Sequence, residues 1–187
     1  MFKTVTQLLV LSALMTSPCF GLKEGVQIGI NFGGPHGTKY TDLDIVSPQQ
    51  NIQVIRIRAG ERVNGVGVDF TDPTGLKTAL YHGGKGGKDI SRELSHGEYV
   101  TAMEVHWGEK GDHTRVKYIQ FATNQGNTIS GGNPTKNIGK DNAPEGYQLG
   151  GFYGTSGKEL DSVGAVWIKI PGDASASADG GNPSYTF

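Results

Sequence analysis

Gly60-Glu61-Arg62-Val63-Asn64, Gly108-Glu109-Lys110-Gly111-Asp112 and Gly157-Lys158-Glu159-Leu160-Asp161 share the form G-x-x-x-[D/N] and begin 48 and 49 residues apart. A second series interleaves with them. The pairs Gly33-Gly34, Gly83-Gly84 and Gly131-Gly132 each precede one member of the first series by 25 to 27 residues. In a chain with 30 glycines any one pair arises by chance, but two interleaved series on the same beat mark a repeated supersecondary unit. The chain reads as three copies of one unit.

The residues between these markers say what the unit is made of. Val26/Ile28/Ile30/Phe32, Val66/Val68/Phe70, Met103/Val105/Trp107, Lys117/Ile119/Phe121 and Val166/Ile168/Ile170 alternate with period two, the signature of short strands. Asp72-Pro73-Thr74-Gly75 and Asn124-Gln125-Gly126-Asn127 are reversals, with Pro fixing φ and Gly or Asn accepting positive φ. Glycine at 30 of 187 residues, each costing about 1 kcal/mol inside a helix, excludes a mainly helical fold. The 35% apolar content and a balance of 17 basic against 18 acidic side chains favour a compact all-β chain over a disordered one. A net charge of −1 also lacks the long-range field that nucleic-acid and anionic-membrane binders use, so neither partner is expected.

Both ends read differently from the middle. Lys3, the mostly apolar run Val5 to Met15 and the small residues of Ser17-Pro18-Cys19-Phe20-Gly21 have the layout of a secretory signal peptide spanning 1–21. The run is too short and too interrupted for a membrane anchor. Cleavage after Gly21 removes the single cysteine, which predicts a secreted, extracellular protein without disulfides. Residues 171–187, PGDASASADGGNPSYTF, are small and polar and read as a flexible tail. The domain is therefore placed at 22–170.

A glycine-rich loop exposes backbone N–H groups and lets a ligand approach closely, and an aspartate accepts several hydrogen bonds. Donors beside an acceptor suit vicinal sugar hydroxyls, each of which donates once and accepts twice. No metal or other cofactor is needed for such a grip.

Asn31-Phe32-Gly33-Gly34-Pro35-His36-Gly37, Tyr81-His82-Gly83-Gly84-Lys85-Gly86-Gly87, Gly97-Glu98-Tyr99-Val100, Phe121-Ala122-Thr123-Asn124 and the stretch Gly151-Phe152-Tyr153-Gly154 through Asp161-Ser162-Val163-Gly164 resemble the jacalin-related lectins, over about Gly25 to Ile170. The resemblance implies a β-prism of three four-stranded Greek-key sheets with pseudo-threefold symmetry, and carbohydrate binding. Carried over residue by residue, it assigns the main site to the backbone N–H groups of Gly37, Lys158 and Glu159 and the carboxylate of Asp161. His36 stands where glycine is common in the family. A weaker second site would use Glu61, Arg62 and Asn64 with Gly87, the neutral Asn64 replacing an aspartate. In the third copy, counting from the preceding strand gives Asp112 as the acceptor and matching the following strand gives Lys117. That loop is five residues longer, its partner Gly131-Gly132-Asn133-Pro134 lacks a second glycine pair, and this copy reads as a plain turn.

The galactose branch of the family is cleaved in the first glycine-rich loop and carries aromatic residues in the last. Here the first loop continues through Gly37-Thr38-Lys39-Tyr40 and the last carries Lys158 and Glu159, so the resemblance implies mannose- or glucose-type glycans. The Glu159 side chain reads as a solvated loop charge.

Enzyme readings find less support. Gly154-Thr155-Ser156-Gly157 falls short of a nucleophile elbow, and Gly86-Gly87-Lys88-Asp89 lacks the first glycine and the Ser/Thr of a phosphate-binding loop. The five histidines have no metal-ligand spacing. A glycosidase needs two carboxylates across a sugar cleft, and nothing in the sequence pairs Glu104 with Asp161 for that role. Trp107 and Trp167 sit at strand positions and read as packing residues. The expectation is a non-enzymatic, metal-independent lectin, a homo-oligomer joined through exposed strands. The rival reading is a secreted β-prism acting by protein–protein contacts with a degenerate sugar site.

Overall fold

The computed structural model describes residues 21–172, which form twelve strands and no helix. The leader assigned to 1–21 lies outside these residues except for Gly21, and so does the tail from 173 onward. Among the described residues no helix is long and apolar enough to cross a membrane.

The strands are β1 Val26–Gly33, β2 Thr38–Thr41, β3 Asn51–Ala59, β4 Val63–Thr71, β5 Lys77–Gly83, β6 Lys88–Glu93, β7 Val100–Lys110, β8 His113–Thr123, β9 Thr128–Gly132, β10 Asn137–Asn142, β11 Tyr147–Ser156 and β12 Leu160–Lys169. They make three four-stranded antiparallel sheets. β5-β4-β3-β6 and β10-β7-β8-β9 each place the fourth strand of a consecutive set beside the first, the Greek-key order. The remaining sheet, β1-β12-β11-β2, has the same order when the last two strands are counted before the first two. The two ends of the domain therefore close one sheet, and the threefold repeat expected from the glycine series is present as three faces of one prism.

A common core fills the space between the sheets. Ile55, Ile57, Val66 and Val68 meet Met103, Val105, Ile119 and Phe121 from the second sheet and Leu149, Phe152, Val163 and Val166 from the third, all at 1% exposure or less. Phe121 and Phe152 pack with ring centroids 5.7 Å apart across two sheets. Burying each such side chain contributes about 1.5–3 kcal/mol, and this offsets the backbone entropy of so glycine-rich a chain. Trp167 belongs to this core, and Trp107 stacks on Phe32 with centroids 5.8 Å apart, so both indoles pack as expected.

Each seam between sheets carries a carboxylate tie. Asp42, after β2, accepts the Phe152 N–H (2.8 Å) and meets His82 Nε2 of the next sheet at 2.7 Å. Glu98, before β7, meets Arg92 of β6 at 3.3 Å. Asp141 of β10 accepts from Trp167 Nε1 and from the Ile30 N–H of the terminal sheet, both at 3.0 Å. Carboxylates supplied with donors in this way, Asp42 and Glu98 buried and Asp141 partly so, tie the faces to one another.

Two strand readings need correction. In β1 the alternation Val26/Ile28/Ile30/Phe32 does not define a buried face: on this edge strand Ile28 and Ile30 are 45% and 55% exposed, and the register slips between Ile28 and Asn31. In β8 the inward residues are Val116, Ile119 and Phe121, not Lys117, because the ladder also slips at Lys117. Ile170 lies one residue past β12.

Candidate functional site

Three β-bulges carry equivalent residues to one end of the prism. Pairing in β11–β12 passes from Thr155↔Ser162 to Ser156↔Leu160, leaving Asp161 without a partner. In β3–β4 it passes from Arg58↔Gly65 to Ala59↔Val63, leaving Asn64, and in β7–β8 from His106↔Tyr118 to Trp107↔Val116, leaving Lys117. A bulge re-aims the extra side chain out of the pleat, which is why an acceptor can point over the end of a sheet. The partner loops dock identically: the N–H groups of Gly34, Gly84 and Asn133 donate to the carbonyls of Asp161, Asn64 and Lys117 at 2.8, 2.9 and 2.9 Å. Before each donor stands a glycine at positive φ, namely Gly33, Gly83 and Gly132. The third copy's equivalent is thus Lys117, while Asp112 sits in an exposed turn; its glycine in register is Gly132, one residue beyond the one the spacing aligned.

In the first copy the expected residues come together. Gly37 has φ +83°, and a Cβ there would lie 2.5 Å from Asp161 Oδ2, so only glycine admits the loop this close. Asp161 is 3% exposed, and its Oδ1 is buried against the Arg115 guanidinium. The Gly157 N–H closes the turn on the Glu159 carbonyl (2.9 Å), while the N–H groups of Lys158 and Glu159 enter no hydrogen bond found among the described residues. These groups line a cavity of about 450 Å³. Burial pushes the Asp161 carboxyl above its ordinary range, against the opposing pull of Arg115, His36 and His113.

The same cavity is also lined by Lys110, His113 and Arg115, which the sequence reading did not place there. They come from the third copy. Where the other two hairpins turn within a few residues of the bulge, β7–β8 continues through Gly108↔Arg115, Glu109↔Thr114 and Lys110↔His113. The longer loop is therefore not a plain turn but a ribbon extended across the neighbouring copy's site. Arg115 Nη1 forms a close ion pair with Asp161 Oδ1 while donating its hydrogen bond to the Thr114 carbonyl (3.0 Å). His113 stacks on His36 with centroids 4.0 Å apart. The five-residue excess was the available signal, but its destination depends on how the three sheets pack.

Glu159 is not a solvated charge. Its side chain is 13% exposed and accepts from Arg62 Nε (2.9 Å), Arg62 Nη2 (2.8 Å) and Lys110 Nζ (3.0 Å), with Arg115 Nε at 3.8 Å. The Arg62 hydrogen bonds, helped by Lys110, hold its carboxyl down to about 2. One residue thereby ties together all three hairpins.

In the second copy, Gly87 and Asn64 meet as Gly37 and Asp161 do: a Gly87 Cβ would lie 2.6 Å from Asn64 Oδ1. The surroundings differ. Arg62 is committed to Glu159, Glu61 follows it with Oε2 3.2 Å from Arg62 Nη1, and the Arg58 guanidinium donates to the Gly86 and Gly87 carbonyls at 3.2 and 3.1 Å. In the third copy Thr135 donates from its N–H to His106 Nδ1 and from its hydroxyl to the Trp107 carbonyl, tying the partner loop to β7.

Glu104 and Asp161 do not face one another. Glu104 lines a separate cavity with Met103 and Gln120 and is held by His106 (2.8 Å) and Lys140 (2.7 Å). Among the described residues no group of three or more His, Cys, Asp or Glu is placed to hold a metal ion.

Residues 30–166 match the family model of the jacalin-like lectin domain. The chain belongs to this family. Secreted RxLR effector protein 19 of Plasmopara viticola is 34% identical over 145 residues, 74% of this chain and 79% of that protein. Jacalin-related lectin 36 of Arabidopsis thaliana is 25% identical over 127 residues, which are 68% of this chain and 27% of the relative. Among solved structures, the jacalin-like fold is matched by Malaysian banana lectin (TM-score 0.67, 23% identity, 76% of this chain and 98% of that one). It is matched also by a mannose-binding jacalin-related lectin from Ananas comosus (0.68, 23%, 78% and 99%).

Proposed function

We propose that this protein is a secreted, non-enzymatic lectin that binds mannose- or glucose-type glycans without a metal, through the Gly37, Lys158 and Glu159 N–H groups and the Asp161 carboxylate. One observation carries the reading: a buried carboxylate on a bulge, beside unengaged backbone donors and a glycine whose Cβ would fill the cleft. That combination offers acceptor and donors to adjacent hydroxyls with no formal ligand charge. The mannose-type preference is supported by the Ananas lectin's description and the uninterrupted first loop. Secretion is supported by the leader-like residues 1–21 and the Plasmopara relative's name.

A shallow site gripping two or three hydroxyls reaches about −4 kcal/mol, a millimolar affinity, and linked sites on a dense glycan gain roughly 10²–10⁴-fold. With Asn64 and Lys117 in place of the other two acceptors, that gain calls for a homo-oligomer; the edge strand β1, with Ile28 and Ile30 exposed, is the surface best suited to it. A glycan array probed with the mature chain, alongside Asp161→Ala, tests the reading: mannose-rich glycans bind and the variant does not. The rival reading, a prism acting by protein contacts, is favoured by the Arg115–Asp161 ion pair, which fills the acceptor. It requires an array without sugar-inhibitable signal.

A further inference from the structure

The ion pair between Arg115 and Asp161 sets a condition on any ligand that takes Asp161 Oδ1. A hydroxyl that takes Asp161 Oδ1 must move the guanidinium away. For a neutral sugar, that leaves Arg115, 19% exposed, with Glu159 Oε2 at 3.8 Å as its nearest carboxylate. Glu159 is already engaged by Arg62 and Lys110. Removing one partner of a largely buried pair leaves an uncompensated charge, the costly half of such an exchange. A ligand that brings its own anion avoids that cost, because the anion replaces Asp161 as the partner of Arg115 while the ring hydroxyls take the carboxylate just released. Lys110 and Lys158 on the rim add to the positive side of the cavity, whose two carboxylates are both already paired.

Resting on the carbohydrate reading of this site, we propose that it selects saccharides bearing an anionic substituent, a uronate carboxylate or a sugar phosphate, with Arg115 as the residue that makes the selection. The ribbon of the third copy, having lost an acceptor of its own, supplies the charge specificity of the first.

The test is titration calorimetry of the wild-type chain, Arg115→Gln, Arg115→Lys and Asp161→Ala with methyl α-mannoside, mannose 6-phosphate and a mannuronate trisaccharide, at low and high salt. A charge-assisted contact in place of a neutral one predicts that wild type prefers an anionic saccharide by roughly tenfold, an advantage that shrinks with salt. Arg115→Gln loses the preference and gains affinity for the methyl mannoside, since no guanidinium then has to be displaced, and Arg115→Lys keeps most of the preference. Preference for only one of the two anions identifies its source. Wild type that binds the neutral mannoside as tightly as either anion, or Arg115→Gln that keeps the preference, overturns the proposal; loss of that binding in Asp161→Ala then leaves the carbohydrate reading standing. No binding of any saccharide by any of these chains overturns both.

Discussion

The β11–β12 and β7–β8 hairpins occupy equivalent places in two of the three sheets, and each is entered through the same bulge and docked by the same backbone hydrogen bond. One turns at once after Ser156 and leaves Asp161 at the mouth of a cavity. The other carries Lys117 at that place and runs on for three more pairs until its tip lies over its neighbour. The difference shows that repetition fixes where a side chain emerges but not what it does. Once a copy is relieved of holding the acceptor, its hairpin is free to lengthen and become part of another copy's wall.

The comparison is broken most directly at the acceptor. Asp161→Ala is expected to abolish saccharide binding in calorimetry, whereas Asp112→Ala, in the turn that only sequence spacing singled out, leaves it unchanged; equal losses would mean that the bulge does not define the site. The next effect is on the shared anchor. Glu159→Gln should cost about 2 kcal/mol in denaturant unfolding at neutral pH, as expected for removing one partner of a partly buried ion-pair cluster. Because the folded-state carboxyl is held down to about 2, its stabilisation is complete above the ordinary carboxylate range and is lost as pH falls toward 2. The gap between variant and wild type should therefore narrow steadily between pH 5 and 3; a gap independent of pH in that window would show that packing, not charge, sets the cost.

A smaller effect belongs to the second copy. Asn64→Ala should change glycan affinity by less than about twofold, and Asn64→Asp should add a weak second site, seen as a rise in stoichiometry, because a carboxylate acceptor strengthens the hydrogen bond by roughly 1 kcal/mol. The smallest expected effect is none: binding persists in a strong chelator, and a loss restored by calcium would remove the proposed mechanism.

Much of this was legible because glycine leaves a periodic trace. Gly33, Gly83 and Gly37 sit at positive φ against a neighbour's backbone or carboxylate, positions no other residue fills without a shift, so the series marked the copies and the cleft together. The period-two strands β4 and β7 were readable because their inward faces meet the common core. Strands such as Lys88–Glu93 and Asn137–Asn142 offered no such trace, being short, polar and exposed on alternate residues at sheet edges. The β1 face misled because an edge strand leaves apolar residues such as Ile28 and Ile30 exposed. Arg115 and the true partners of Glu159 were out of reach, because they bind across sheets and nothing within a repeat encodes how sheets meet.

The terminal sheet holds one further consequence. Gly37 belongs to the first strand pair of the domain and Asp161 to the last, and the sheet that joins them is assembled from both ends of the domain. The cleft therefore requires the final hairpin to pair with β1 on one side and β2 on the other. A chain clipped before Leu160 keeps the strands of both other sheets but lacks Asp161, the acceptor of the proposed site.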